Sequence, residues 1–335
     1  MAYQNVLVLG GTGFIGRYLV GCLAAQGRRV CVPTRRRARG RELLVLPTVE
    51  VVQADIHDGS VLRALLSGRD AVINLVAILH DSDAVALSGA LPQPQTAGHY
   101  GAGFAAAHVQ LVRSLVDACR QSGVGRLLHV SALGADPNGP SEYLRSKAEG
   151  EQIAREAQGI STTVFRPSIV FGAGDHFLTR FAAMAAWLPV LATPQPQARM
   201  QPVWVHDLIA AMCTALDEPS TFGKRYEICG PTIYTLRDLM HFAARAAGHP
   251  RPVIGIPGPL AYVLASCFEL LPGSPPLSRD NLRSLSVDNI ASQQPYVPAP
   301  ELGLRPAPME PEAALYLAGM HPRSRYGGFR ARARR

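Results

Sequence analysis

Short apolar runs alternate with longer amphipathic stretches through the first half of the chain. Such runs, separated by helices of about 10–15 residues, predict parallel strands that are buried on both faces of a sheet. Because crossover connections are right-handed, we expect an α/β fold with a doubly wound parallel sheet. The predicted strands are Val6–Leu9, Arg29–Pro33, Val49–Gln53, Val72–Ile78, Leu127–Val130 and Ile160–Arg166, and the clearest helices follow the first strand and span about 105–121.

The pattern changes after residue 172, where prolines become frequent and apolar runs become shorter. This texture predicts a smaller mixed domain that closes over a cleft in the first one. Short strands are predicted at Val203–Val205 and Arg225–Cys229, and a helix at Leu236–Ala247. We divide the chain into a first domain (1–172, with about 201–230 packing back near it), a small domain (173–322) and a basic tail (323–335) that we expect to be disordered.

Positive charge is concentrated in two places. The chain has 335 residues, 47% hydrophobic and 17% charged, which is typical of a globular protein, and its net charge is +8. Five arginines lie between Arg35 and Arg41 and six between Arg323 and Arg335, while the rest of the chain carries 22 basic against 25 acidic residues. A mildly acidic body with two local basic patches excludes a general nucleic-acid binder.

The N-terminus, the cysteines and the hydropathy indicate a cytoplasmic protein. The N-terminus enters an apolar strand directly, without the features of a signal peptide. Six scattered cysteines predict small buried thiols and neither disulfides nor a metal site. The most apolar stretch, from Leu260 to Leu271, is about half the length needed to span a bilayer. It leaves open contact with the inner face of a membrane, a hydrophobic lid or ordinary core packing.

A glycine-rich turn lies between the first strand and the first helix. Its residues are Gly10, Gly11, Thr12, Gly13, Phe14, Ile15 and Gly16. Glycines at this spacing allow a tight turn and let a pyrophosphate approach free backbone amides at a helix N-terminus. We therefore predict a dinucleotide site, the alternative being a turn that serves packing alone.

The residues after the second strand indicate which dinucleotide binds. No acid occurs between Gly16 and Glu42, whereas an NAD site places one there for the ribose hydroxyl. The strand ends instead in Arg35 and Arg36, whose guanidinium groups suit a 2′-phosphate, so we predict NADPH over NADH. The alternative is that these arginines decorate a loop. Further predicted cofactor contacts are Asp55 and Ile56 beside the adenine, and Val76 and Ala77 after the fourth strand.

Tyr143 and Lys147 are spaced to share one face of a helix. A nearby ammonium lowers the pKa of a phenol from about 10 and makes it a usable proton donor to a carbonyl. Ser131 ends the preceding strand, within reach of the same oxygen. We predict catalytic roles for Ser131, Tyr143 and Lys147, the alternative being an incidental pair on a solvated helix face.

These motifs, together with the stretch from Arg166 to Gly172, resemble the extended and atypical short-chain dehydrogenases/reductases. The resemblance is greater to the Rossmann-type accessory subunit of respiratory complex I and its bacterial relatives, through YLRSKAEGE from Tyr143, DHFL from Asp175, QPVWVHD from Gln201 and RDN from Arg279. It implies a Rossmann domain holding NADPH with Lys147 on the ribose, and Pro167 and Ile169 near the nicotinamide. Such enzymes usually carry an asparagine in the helix before the serine strand; the nearest candidate here is His108.

Two functions remain open. The first is an NADPH-dependent reductase of an apolar carbonyl or quinone-related lipid. The second is a non-catalytic protein that holds NADPH in respiratory-complex assembly or ubiquinone biosynthesis, as the resemblance to a structural subunit implies. We also expect Asp207 to be a helix N-cap, and Asp175 and His176 are weaker candidates for lining the substrate opening.

Overall fold

The strands and helices are known for residues 3–81, 100–270, 275 and 277–321, which a computed structural model describes. The strands are β1 (Asn5–Leu9), β2 (Arg29–Thr34), β3 (Val49–Gln53), β4 (Ala71–Asn74), β5 (Arg126–Val130), β6 (Ser161–Pro167), β7 (Val170–Phe171), β8 (Leu191–Thr193), β9 (Arg199–Met200), β10 (Val203–Trp204), β11 (Arg225–Ile228), β12 (Tyr234–Thr235) and β13 (Val253–Gly255). The helices are α1 (Phe14–Ala25), α2 (Gly59–Leu66), α3 (Ala102–Phe104), α4 (Leu111–Ser122), α5 (Glu142–Arg155), α6 (Leu178–Trp187), α7 (Val205–Asp217), α8 (Leu236–Ala246), α9 (Gly258–Glu269), α10 (Arg279–Ser284) and α11 (Met309–Leu317).

A seven-stranded parallel sheet forms the centre of the molecule. Its strand order is β11-β6-β5-β4-β1-β2-β3, and every neighbouring pair runs parallel. The order reverses between β1 and β4, so the predicted doubly wound α/β fold is confirmed. The carboxyl ends of these two strands form the crevice where such sheets bind ligands.

Alternation along β1 shows why helices cover both faces of the sheet. Val6 and Val8 pack into one core cluster with residues of α1 and α7. Leu7 and Leu9 point to the opposite face, where they pack with residues of α2 and α4. Since both sets of side chains are fully buried, β1 is apolar at every position after Asn5.

The sequence pattern suggested that the strand series ends at β6, but the sheet has one more strand. The four residues of β11 pair in parallel with β6 and extend the sheet by one strand. The sequence pattern identifies Arg225–Cys229 as a short strand, within a stretch expected to pack back near the first domain, but does not give its partner. Its partner lies about sixty residues earlier, and the pattern of a short apolar run does not indicate which strand it pairs with.

Among the described residues, the small domain is built from short strand pairs and five helices. The pairs are β7 with β10, β8 with β13 and, antiparallel, β9 with β12. Residues of α6, α8 and α11 share a separate core cluster, and α9 and α10 follow β13 along the chain. The predicted tail, 323–335, lies outside the described residues.

Several local predictions differ from the structure. The apolar run Val72–Ile78 is strand only as far as Asn74. The helix predicted from about residue 105 begins with a π-helical segment, Ala105–Gln110, before α4. Asp207 is not an N-cap, because α7 starts at Val205 and the Asp207 carboxylate accepts a hydrogen bond from the amide of Ala307.

The cysteines are all free thiols, but not all are buried. Cys267 is exposed, and Cys22 is half-buried with its sulfur 3.1 Å from that of Cys213 across the contact between α1 and α7. Within the part of the chain that the structure describes, no helix is long and apolar enough to cross a bilayer.

A fully buried arginine joins the sheet to α7. Arg126 in β5 donates hydrogen bonds to the carbonyl oxygens of Leu216, Ala215 and Ser161 and to Thr163 Oγ1. Desolvation lowers the pKa of its guanidinium to about 10. The charge is therefore held by carbonyl dipoles, which would lose their partners if the side chain were removed.

We expect Arg126→Ala to lower the free energy of unfolding by about 3 kcal/mol or more, because several buried carbonyls would lose their donor. Urea denaturation followed by circular dichroism measures this change. Arg120→Ala, at an exposed arginine of α4, is the control and should cost less than about 0.5 kcal/mol. Equal losses in the two variants would contradict the role given to Arg126.

Candidate active site

The glycine turn lies at the crevice between the carboxyl ends of β1 and β4. Gly10 adopts a positive φ of 79° and lies against the backbone of Leu75, directly after β4. A Cβ at Gly16 would lie 2.6 Å from the Cα of Gly11, and a Cβ at Gly11 would lie 2.8 Å from Val32 of β2. The spacing of these glycines therefore reflects close approach of α1 to the turn and of the turn to the sheet.

The N-terminus of α1 is suited to an anion. Its N-cap is Gly13, no side chain caps its amides, and its first turn contains no acid. The amide of Gly13 donates to the carbonyl oxygen of Gly10 at 3.0 Å, which closes the turn. The amides that follow and the helix dipole both favour a negatively charged group at this point.

Arg35 and Arg36 follow β2 at the same edge of the sheet. Arg35 is half-buried and Arg36 is exposed. Desolvation and the neighbouring Arg39 lower the pKa of Arg35, while the carboxylate of Asp55 opposes that shift. Asp55 accepts a hydrogen bond from the amide of His57 at 3.0 Å. Arg35, predicted to contact the 2′-phosphate, and Asp55, predicted to lie beside the adenine, are thus close enough to influence each other's charge.

The remaining predicted cofactor contacts lie on the loops after β3, β4 and β6. Ile56 and Val76 are half-buried and Ala77 is exposed, and the amide of Val76 donates to Asn74 Oδ1. Pro167 ends β6 and accepts a hydrogen bond from the amide of Leu133 at 3.0 Å. Ile169 packs against the core of the small domain, so this last contact lies where the two domains meet.

Ser131 directly follows β5, and its hydroxyl is buried without a partner. Its amide continues the ladder to the carbonyl oxygen of Phe165 at 2.8 Å. Among the described residues nothing forms a hydrogen bond with Ser131 Oγ. Because an unpaired buried hydroxyl is costly, this atom is a free hydrogen-bonding group at the candidate site.

Lys147 joins α5 to the end of β5. Its side chain is buried, and its Nζ donates to the carbonyl oxygen of Val130 at 2.7 Å. Desolvation lowers the pKa of Lys147 to about 8, against the opposing influence of Glu151. This contact fixes one turn of α5 at the residue before Ser131.

Tyr143 lies one helical turn before Lys147. Its ring meets those of His108 and Phe104 edge-on, with centroids 5.7 and 6.3 Å apart. The expected lowering of its pKa does not hold in this structure, since burial raises the pKa of Tyr143 to about 12. The phenol therefore carries its proton at neutral pH and can act as a donor, not as a base.

A polar network behind α5 was not predicted from the sequence. His108 accepts a hydrogen bond from the amide of Ile78 through Nε2, and its Nδ1 lies 2.9 Å from Ser146 Oγ. Ser146 Oγ in turn donates to the carbonyl oxygen of Tyr143. Desolvation holds the pKa of His108 well below its usual value. The neutral imidazole thus supports the backbone of Tyr143 through Ser146.

Close packing and ion pairs complete the environment of α5. A Cβ at Gly150 would collide with the carbonyl oxygen of His108, so α5 lies directly on the π-helical segment. Buried Glu151 pairs with Arg166 at 2.7 Å and with Arg225 at 3.4 Å. Asn74 and His129 meet at 3.2 Å on the neighbouring strands. Polar residues inside apolar strands were the available sequence signal for this last pair.

Asp280 connects the small domain to Tyr143. Its carboxylate accepts hydrogen bonds from the amides of Glu142 and Tyr143, at 2.7 and 3.1 Å. The start of α5 is thereby capped by a residue almost 140 positions away in the chain. A cavity of about 390 Å³ lies beside this contact and is lined by residues that include Asp81, Phe104 and Arg279.

Asp175, one of the weaker candidates, and His206, the neighbour of Asp207, make contacts within the protein. Asp175 is buried and accepts hydrogen bonds from the amides of Phe177 and Thr179 and from the Tyr316 hydroxyl. His206 packs against the ring of Tyr18. In the described ranges no three His, Cys, Asp or Glu side chains are placed to share a metal ion.

Fold and site together define a nucleotide-binding protein with a Tyr-x-x-x-Lys pair beside the sheet crevice. The chain belongs to the NAD dependent epimerase/dehydratase family, whose model matches residues 6–229. The resemblance to extended short-chain dehydrogenases/reductases is thereby confirmed.

Known proteins similar to this chain include two kinds of relative. Subunit 9 of the NADH dehydrogenase [ubiquinone] 1 alpha subcomplex from Dictyostelium discoideum is 32% identical over 68% of this chain and 60% of its own length. The ceramide reductase of Caulobacter vibrioides is 28% identical over 76% of this chain and 74% of its own. The match therefore covers less than two thirds of the length of the first of these relatives.

A solved structure supports the fold. The dTDP-glucose 4,6-dehydratase of Streptomyces venezuelae, crystallised with NAD bound, superposes with a TM-score of 0.71. The match covers 97% of this chain and 99% of that one, at 20% sequence identity.

The depressed pKa of Lys147 makes stability depend on pH. Between about 8 and 10.5 the unfolded chain holds a proton that the folded chain has released, so stability rises as the pH rises through this window. We expect the parent to gain on the order of 2 kcal/mol relative to Lys147→Met between about pH 7 and pH 10.5. Urea denaturation at a series of pH values measures the difference. The exposed Lys224 supplies the control Lys224→Met, which should keep the parent's profile; parallel profiles for all three proteins would sink the assignment.

Proposed function

We propose that this protein binds NADP(H) and reduces an apolar carbonyl compound, of the quinone-related or long-chain lipid kind. The observation that carries the proposal is the unpartnered, buried hydroxyl of Ser131, at the end of the strand to which α5 is fixed by Lys147. A group of this kind is expected where a substrate oxygen is to be bound.

The residues present fit the cofactor. The glycine turn leaves no room for side chains on its packed faces, and the uncapped start of α1 would receive the pyrophosphate. Arg35 and Arg36 would hold the 2′-phosphate, a preference that the absence of an acid at the end of β2 supports. Lys147 would hold the ribose. Bound NADPH supplies the hydride for carbonyl reduction.

The chain's own residues would then bind the carbonyl oxygen and supply its proton. Ser131 Oγ would donate a hydrogen bond that orients and polarises it. The Tyr143 hydroxyl, protonated at neutral pH, would deliver the proton that converts the developing alkoxide to an alcohol. Lys147 would stabilise the tyrosinate left behind. Asp280 and Ser146 would keep the backbone of Tyr143 in place through their hydrogen bonds.

The substrate class is supported by similarity to a ceramide reductase, a name that implies reduction of a lipid. The second candidate is a non-catalytic protein that holds NADPH in respiratory-complex assembly or ubiquinone biosynthesis. It is favoured by the higher identity, 32% against 28%, to a subunit named for NADH dehydrogenase. Contact with a respiratory complex and a place at the inner face of a membrane remain predictions under either function.

Cofactor preference tests the arginine clamp. We expect the parent to bind NADPH more tightly than NADH, and Arg35→Glu or Arg36→Glu to weaken NADPH binding by about tenfold or more. Fluorescence titration with both nucleotides measures the affinities. Arg41→Glu, with the same charge change at an exposed site later in the run, should have a smaller effect. Tighter NADH binding by the parent would overturn the clamp.

Turnover separates the two functions. NADPH oxidation is followed at neutral pH with quinones, isoprenoid carbonyls and long-chain lipid carbonyls, and Tyr143→Phe is expected to slow it by about 10²–10⁴-fold. Tyr100→Phe is the matched control, because that hydroxyl bonds to Glu149 outside the proposed chemistry. NADPH binding without turnover of any of these compounds would favour the NADPH-holding function, and turnover unaffected by Tyr143→Phe would contradict the role of Tyr143 as proton donor.

A further inference from the structure

Two cysteine side chains meet where α1 packs against α7. The sulfur of Cys22 lies 3.1 Å from that of Cys213, although the two residues are 191 positions apart in the chain. Cys22 is half-buried, and Cys213 is 8% exposed. Because the two sulfurs of a disulfide are about 2.05 Å apart, these two atoms need to approach each other by only about 1 Å to form one.

Contacts before and after the two cysteines hold the helices together. One turn before Cys22, the ring of Tyr18 meets that of His206 in α7 edge-on, with centroids 5.0 Å apart. Beyond the end of α1, the guanidinium of Arg28 pairs with the carboxylate of Asp217, the last residue of α7, at 2.5 Å. Since each cysteine lies between these two contacts in its own segment, the approach of the sulfurs follows from how α1 and α7 pack.

The two thiols differ in reactivity. The sulfur of Cys22 lies within hydrogen-bond distance of the Cys213 thiol and, at 3.7 Å, accepts from the side-chain amide of Gln26. The hydrogen bond with Cys213 and the charge of Arg28 lower the pKa of Cys22 to about 7, against the effect of burial. The same hydrogen bond and burial raise the pKa of Cys213. Cys22 is therefore the nucleophilic sulfur near neutral pH, and Cys213 is its protonated neighbour.

The other cysteines have different surroundings. Burial raises the pKa values of Cys119 and Cys229 to about 12, and it also raises the pKa of Cys31. Cys267 is exposed on α9. A low pKa, partial exposure and a second thiol nearby distinguish redox-sensitive cysteines from buried structural ones, and Cys22 combines all three properties.

We propose that Cys22 and Cys213 form a reversible disulfide when the protein meets a hydroperoxide. The Cys22 thiolate attacks one oxygen of the peroxide, the O–O bond breaks, and the departing oxygen takes up a proton and leaves as water or an alcohol. The Cys213 sulfur then attacks the sulfenic acid on Cys22, so that the S–S bond forms and the hydroxyl group leaves as water with the Cys213 proton. The two sulfurs supply the two electrons that reduce the peroxide, and a small dithiol reverses the link.

The disulfide would join two helices that lie beside the candidate active site, and it goes beyond the proposed reaction. Helix α1 starts at the glycine turn, and α7 carries carbonyl oxygens that bind Arg126 of β5. The loop that the link closes contains Ser131, Tyr143 and Lys147. Because a cross-link over 191 positions restricts the unfolded chain, the oxidised protein should unfold at a higher urea concentration than the reduced protein.

Peptide mapping of the whole chain tests the link. The reduced protein is treated with hydrogen peroxide, the remaining thiols are blocked with iodoacetamide, and the digest is analysed by mass spectrometry. We expect a cross-linked pair of peptides that contain Cys22 and Cys213 and that dithiothreitol separates. Without peroxide, iodoacetamide should modify Cys22 at about pH 7 roughly fivefold faster in the parent than in Cys213→Ala, because this variant lacks the hydrogen-bond donor and its Cys22 pKa returns toward about 8.5.

Matched variants assign the two roles. Oxidation of Cys213→Ala should stop at the sulfenic acid of Cys22, which dimedone traps, whereas Cys22→Ser should give neither this adduct nor the link. Cys267→Ser, at the exposed cysteine of α9, is the control and should form the link like the parent. Circular dichroism melting verifies that all three variants are folded.

The disulfide is overturned if peroxide leaves Cys22 and Cys213 unlinked in the parent, if Cys22 links to another cysteine, or if Cys267→Ser loses the link. Absence of the dimedone adduct from Cys213→Ala would overturn the role of Cys22 as the sulfur that attacks the peroxide. A urea midpoint of the oxidised parent no higher than that of the reduced parent would overturn the stabilising effect of the link.

Discussion

The hydrogen bond from Lys147 Nζ to the carbonyl oxygen of Val130 is the contact on which the candidate active site depends. It is 2.7 Å long and buried, and it joins α5 to the end of β5. Ser131 follows Val130 directly, and Tyr143 lies one turn earlier on α5, so this contact joins the helix that carries Tyr143 to the strand end that carries Ser131. Because burial removes the ammonium group from water, the pKa of Lys147 falls to about 8.

Helix α5 is held from every side by groups that are distant in sequence. The π-helical segment lies beneath Gly150, His108 and Ser146 support the backbone of Tyr143, and Asp280 caps the helix from the small domain. Positioning of the phenol therefore depends on both domains being folded against each other. Such support restricts the geometry of a catalytic group, and it equally stabilises a protein that holds its nucleotide without turning it over.

The proposed activities use different parts of the molecule. Nucleotide binding rests on the glycine turn, the arginines after β2 and Lys147, whereas proton transfer rests on Tyr143 and Ser131 together with the same Lys147. Lys147 is the side chain that these two proposed activities share, and it lies at the end of β5 between them.

The sequence by itself determined the doubly wound sheet, because the pattern of apolar residues within each run or helix shows which faces are buried. It also identified the glycine turn, Tyr143 and Lys147, through residue spacing within single elements. It did not identify the pairing of β11 with β6, the support of Tyr143 by His108 and Asp280, or the raised pKa of Tyr143. Those features depend on partners 35 to about 140 residues apart and on burial. A local pattern shows which residues are polar or apolar, but only the tertiary structure decides which of them meet and how far water is excluded from them.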